Sequence, residues 1–154
     1  MSKLRVRPVD ADDVPELVEM YMDLVSFAYP TRMRAPKIVF YEIVLEWFTR
    51  KDRIRIVENG EESVGFSLVT RHNAGGAVET YLDAEVTYIK EKYRKGRGAY
   101  LIYNDVFEFA KKMGMGIMST STPDSSPIVN KRFGAEHAFN HYEVPKEFIL
   151  NLDK

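Results

Sequence analysis

The sequence predicts an α/β fold of the α+β kind, one domain over residues 1–154 built on a mixed, mostly antiparallel sheet. Three observations predict it. Apolar residues recur at helical spacing up to about Arg50 and then alternate as in strands. Asn59-Gly60 is a strong hairpin signal between two alternating runs. A glycine turn then separates a strand from a helix, and the β–α–β unit centred on residues 83–122 should be a right-handed crossover between parallel strands.

Taken in order, Leu4-Arg5-Val6-Arg7-Pro8 alternates and reads as a short edge strand. Asp10 to Asp13 supply acidic helix-capping chemistry. Val14, Leu17, Val18, Tyr21, Leu24, Val25 and Ala28 then mark one apolar helix face. Two prolines break it within Tyr29–Pro36, and a second helix is expected over Pro36–Arg50, burying Phe40, Ile43, Val44, Trp47 and Phe48. Strands follow over Arg53–Glu58 and Ser63–Thr70, then a loose connection at His72–Gly76. A β-rich stretch continues to Lys90 with an interruption near Leu82-Asp83. Ala99, Ile102, Val106, Phe109, Ala110 and Met113 predict a third helix that Gly114 ends. A strand at 117–122, a brief helix at 128–133 and a strand at 136–144 complete the order.

Composition narrows the function classes. With a net charge of −1, nothing at whole-chain level favours nucleic acid or an anionic membrane, so any anion site must be local. The absence of cysteine excludes a thiol nucleophile, a disulfide framework and a cysteine metal site. No stretch approaches the ~20 apolar residues of a spanning helix, and Met1–Arg5 lacks a signal-peptide run, so a cytoplasmic location is expected. His137 and His141 share a strand face but sit roughly 13 Å apart at ~3.3 Å per residue, which suits no shared metal. His72 reads as a surface histidine.

The local anion site is the turn Tyr93-Arg94-Lys95-Gly96-Arg97-Gly98. Glycines there allow positive φ and close approach of a ligand to the backbone. Successive free N–H groups at a helix start form an anion nest at the positive end of the dipole. Lys90, Lys92, Arg94, Lys95 and Arg97 put five basic side chains within eight residues around it. Such a device suits a pyrophosphate with a further phosphate, or else it is a solvated surface turn. The spacing is not that of a Walker P-loop.

The stretch Val86–Leu101 resembles motif A of the GCN5-related N-acetyltransferases (GNAT), in which a strand ends in a glycine-rich turn that opens a helix. The resemblance continues through Phe109–Gly114 and Asn130-Lys131-Arg132-Phe133-Gly134, and Val6–Asp13 resembles the usual opening. It implies helices on both faces of the sheet and a splayed parallel strand pair, here 83–90 and 117–122, that holds acetyl-CoA. The backbone at Tyr88 and Ile89 would pair with the pantetheine arm. The amides of Arg94, Lys95, Gly96, Arg97, Gly98 and Ala99 would hold the pyrophosphate, with Asn130 nearby. The implied reaction is transfer of acetyl from acetyl-CoA to a primary amine by direct attack, without metal.

Two residues depart from the family pattern. With the glycines aligned Tyr93 occupies the first position of the turn, or equivalently Arg94 is kept and the turn is one residue short, and Asn130 stands where a tyrosine often protonates the thiolate. Asparagine cannot supply a proton near neutral pH, so Tyr142, Tyr103 or water would have to serve as the acid. Glu85 and Asp83 are the candidate bases, sharing a face if the strand is regular, with Glu79 a lesser one. Arg32 and Arg34 would either contact a carboxylate or phosphate on the acceptor or sit in a solvated linker. A non-catalytic CoA-sensing or protein-binding module is the alternative, and an exposed C-terminal sheet edge would favour a homodimer. A nucleic-acid contact at Lys90–Arg97 is disfavoured by the lack of interleaved aromatics.

Overall fold

A mixed sheet runs through the computed structural model, which describes residues 3–29, 34–60, 62–73 and 80–119, all within the unit Met1–Thr120. The strands are β1 (Leu4–Pro8), β2 (Arg53–Asn59), β3 (Glu62–Asn73), β4 (Thr80–Ile89) and β5 (Gly116–Ser119), side by side in that order. The first four pair antiparallel and β4–β5 is parallel. The helices are α1 (Val14–Ala28), α2 (Lys37–Thr49) and α3 (Gly98–Met113). The second parallel strand was expected at 117–122 and is described from Gly116 to Ser119. The expected elements at 128–133 and 136–144 lie outside the described residues.

Local chemistry explains the boundaries. The Asp10 side chain caps a short 3₁₀ turn, Ala11–Asp13, and the Asp13 carboxylate accepts the Asp10 N–H at 2.8 Å, a reciprocal box that launches α1. Gly114 ends α3 at φ 66°, a left-handed cap that glycine adopts without strain. Gly60, at φ 67°, turns the chain between Asn59 and its partner Glu62. In α2, Phe40, Val44 and Trp47 are buried, whereas Ile43 and Phe48 are only partly so.

Three apolar clusters form among the described residues, one on one face of the sheet and two on the other. Ile54, Ile56, Phe66, Leu68, Val86 and Tyr88 pack with Leu17, Val18, Met20, Phe40, Val44 and Trp47 of α1 and α2. On the other face, Val69, Leu82 and Ala84 meet Val106 and Ala110, and Val57, Val64 and Ile89 meet Ile102, all on α3. In a regular strand Leu82, Ala84, Val86 and Tyr88 would share a face. They do not, because Val69 pairs with Ala84 and Leu68 with Val86, leaving Glu85 as the extra residue of a β-bulge. The interruption expected near Leu82-Asp83 therefore falls at Glu85. A second correction concerns His72, placed in a loop by its neighbouring glycines. It stands in β3 opposite Tyr81, because the strand runs on to Asn73.

Arg7 ties β1 to the start of α1. Its guanidinium donates to both oxygens of buried Asp13 at 2.8 Å, and its Nε to Glu58 at 2.7 Å. Both carboxyls are held below their ordinary range chiefly by these bonds, against a burial effect that would raise them. Depressed carboxyls contribute stability above their unfolded pKa, near pH 4, that is lost as pH falls through the folded values. Arg7→Leu is expected to cost about 3 kcal/mol at pH 7, since Asp13 is left buried without its cation. Burial would then raise that carboxyl, so denaturant unfolding should show the variant gaining stability from pH 7 towards 5 while the parent stays level.

Candidate functional site

Beyond β4 the chain turns through a 3₁₀ segment, Glu91–Tyr93, into residues 94–97 and the start of α3. The Arg94 amide donates to Glu91 O at 3.2 Å and the Gly96 amide to Tyr93 O at 3.1 Å. The amides of Lys95, Arg97, Gly98 and Ala99 have no backbone acceptor among the described residues. Four free donors thus cluster at the N-terminus of a 16-residue helix, where the dipole favours an anion.

The basic side chains around this nest are not equivalent. Lys90 pairs with Glu16, and Lys92 pairs with Glu62 at 2.8 Å while lying over the Tyr93 ring. Arg94 turns back against β4 and α1, its Nε donating to Ile89 O at 2.9 Å. Lys95 and Arg97 are exposed and have no carboxylate partner among the described residues. They are the two cations of the five left to meet an incoming anion.

The glycines do not supply the positive φ that was expected of them. Neither Gly96 nor Gly98 has positive φ. A Cβ on Gly98 would lie 3.2 Å from Ile89 Cδ1 and 3.7 Å from Val64 Cγ1, so the missing side chain lets the helix start press onto the sheet. A Cβ on Gly96 would meet only Tyr93 O, at 3.4 Å, leaving that position open to a ligand. Gly98→Val is expected to overpack this contact and cost about 1–3 kcal/mol. Gly98→Ala asks only the Ile89 tip to shift and should stay within about 1 kcal/mol of the parent in denaturant unfolding.

Among the described residues, β4 pairs with β5 from Tyr81 to Ala84. Exposed Glu85 accepts from the Thr70 hydroxyl at 3.3 Å, and Thr70 is itself the register partner of Asp83. Glu85 also lies near α1, where its charge adds to the burial that raises the Tyr21 phenol. Asp83, alternating with Leu82 and Ala84, points to the α1 side as well. The bulge changes the parity of the residues after Glu85 and leaves this pair of carboxylates together. Tyr103 lies on the opposite face near Thr87, its phenol raised by burial and partly lowered by that hydroxyl.

A groove of about 610 Å³ opens between α1 and the end of β4, lined by Glu16, Glu19, Asp23, Tyr88, Lys90 and Glu91 among others. The Tyr88 hydroxyl donates to Asp23, and burial, followed by this carboxylate, pushes the phenol well above its ordinary value. The carbonyls expected to meet a ligand are partly engaged. Ile89 O accepts from Arg94, and Tyr88 O lies so close to Gly65 that a Cβ there would be 2.2 Å away.

No family model matches this chain, and no curated protein matches it. Solved structures do. A probable acetyltransferase superposes with a TM-score of 0.76 at 15% identity, covering 92% of this chain and 97% of the other. An aminoglycoside N-acetyltransferase in complex with CoA gives 0.70 at 15% identity, over 95% and 96%. A ribosomal-protein-alanine N-acetyltransferase from Brucella melitensis biovar Abortus 2308 gives 0.69 at 14% identity, over 93% and 99%. The fold is that of the GNAT acetyltransferases. At these identities the likeness establishes the architecture, including helices on both faces and the parallel β4–β5 pair. Within this GNAT fold the turn and β4 bring Asp83, Glu85, Tyr88, Ile89 and Arg94 to Ala99 into one region, from the bulge to the start of α3. Asn130, Tyr142, Glu79 and Arg32 lie outside the described residues, and Arg34 is exposed just before α2. Asp23, Glu16 and Phe27 of α1 were not anticipated. Their only sequence signal is a polar or exposed position on an amphipathic helix, which any solvated face shares.

Proposed function

We propose that the protein is an acetyl-CoA-dependent N-acetyltransferase that acetylates a primary amine of a small molecule or protein. The observation that carries this reading is the set of four amides, at Lys95, Arg97, Gly98 and Ala99, that have no backbone acceptor among the described residues, flanked by the Lys95 and Arg97 side chains, which pair with no carboxylate among those residues. The GNAT fold and the CoA-bound neighbour support it. Acetyl-CoA supplies an activated acyl carbon with a thiolate leaving group.

In this reading the turn grips the pyrophosphate and the acceptor enters by the groove beside α1. Glu85, or Asp83 beside it, takes a proton from the ammonium or attacking amine. The amine nitrogen bonds to the thioester carbon, the C–S bond breaks, and the thiolate regains a proton from Tyr142, Tyr103 or water. The Asn130 substitution favours a second reading, a CoA-sensing module without turnover. Calorimetry with acetyl-CoA followed by thiol release across an amine panel tests both. Binding with amine-dependent thiol release is the expected result. Binding without release would favour the sensor, and absence of binding would sink both readings.

A further inference from the structure

We infer that Arg94 is a positioning residue, which clasps the anion-binding turn to α1 instead of contacting a phosphate. Its guanidinium carbon lies 4.9 Å from the centroid of Phe27 and 5.9 Å from that of Tyr88, while its Nε holds Ile89 O at 2.9 Å. Among the described residues no carboxylate pairs with it. Phe27, 58% exposed, has little apolar burial to justify a ring near the end of α1. The guanidinium gives it a partner.

Asp23 and Phe27 stand i, i+4 on α1 and so present one face. Asp23 takes the Tyr88 hydroxyl and Phe27 takes the cation stacked beyond it, giving two attachments between the same helix and the end of β4. A planar guanidinium can lie against both rings while its edge reaches a carbonyl, which a lysine ammonium cannot do. The clasp holds the chain immediately before Lys95, the first free amide of the nest. Because Asp23 and Tyr88 also line the groove, occupancy of the groove and of the turn act on one set of contacts.

The inference rests on the acetyl-CoA reading only for what the turn binds. Calorimetry with CoA at low and high salt would compare Phe27→Leu, Phe27→Trp, Arg94→Lys and Arg94→Gln. Backbone NMR of the ligand-free proteins would follow amides 94–99 and the Arg94 side-chain protons, with unfolding midpoints confirming intact folds. The clasp predicts ring-shifted Arg94 protons in the parent that move to ordinary positions in Phe27→Leu but not in Phe27→Trp. It also predicts that Phe27→Leu and Arg94→Lys each weaken CoA about two- to fivefold, the worth of one exposed cation–π contact, without changing salt dependence. If Arg94 were a phosphate ligand, Phe27→Leu would have no effect, and Arg94→Gln would flatten a salt dependence that Arg94→Lys preserves. Unshifted Arg94 protons in the parent would overturn the clasp even if CoA does not bind at all.

Discussion

In the proposed reaction, Glu85→Gln is expected to lower turnover about 10²- to 10⁴-fold while leaving CoA affinity unchanged. The glutamine keeps the shape and can still accept from Thr70, so the change removes basicity and little else. Position is the reason for choosing Glu85. It is the residue of the bulge left without a partner on β3, and it is exposed on the α1 side from which an acceptor would arrive. Asp83→Asn is the matched control, one β-repeat away on the same face. Undiminished turnover in Glu85→Gln, with collapse in Asp83→Asn, would move the assignment to Asp83.

What could be read in the sequence was what depends on periodicity and local caps. The helical stripe from Val14 to Ala28, the alternation of Arg53–Glu58 and the glycine after Met113 each report a conformation set by neighbours in the chain. The bulge could be suspected but not placed, because either strand of a ladder can absorb an extra residue and only pairing with Leu68 and Val69 fixes it at Glu85. The extension of β3 to Asn73 was hidden for a similar reason, since ladder partners on β4 outweigh the turn preference of the asparagine and glycines nearby. The basic cluster was the least legible part. Five cations within eight residues look alike in sequence, yet Glu16 on α1 and Glu62 on β3, both distant along the chain, engage Lys90 and Lys92. Tertiary partners alone sort the cluster into structural and available charges.

That sorting yields the second large effect. Replacing Lys95 and Arg97 together by glutamine is expected to weaken CoA binding about 100-fold at low salt, roughly tenfold for each charge-assisted contact. Stability should stay within about 0.5 kcal/mol of the parent, since neither side chain has a described partner to lose. Lys92→Gln removes the same charge from the same stretch, but this lysine is engaged by Glu62, so it should reduce affinity less than about threefold. The contrast separates contact from general attraction, because a merely diffuse field would make all three substitutions similar and all salt-sensitive. The backbone amides at positions 95, 97, 98 and 99 remain in the double variant, so residual binding of CoA should persist and depend weakly on salt. Calorimetry at two ionic strengths would show it. A Lys92 loss as large per charge as that of the Lys95–Arg97 pair, about tenfold, would mean that the nest attracts its ligand by net charge, and that its geometry selects nothing.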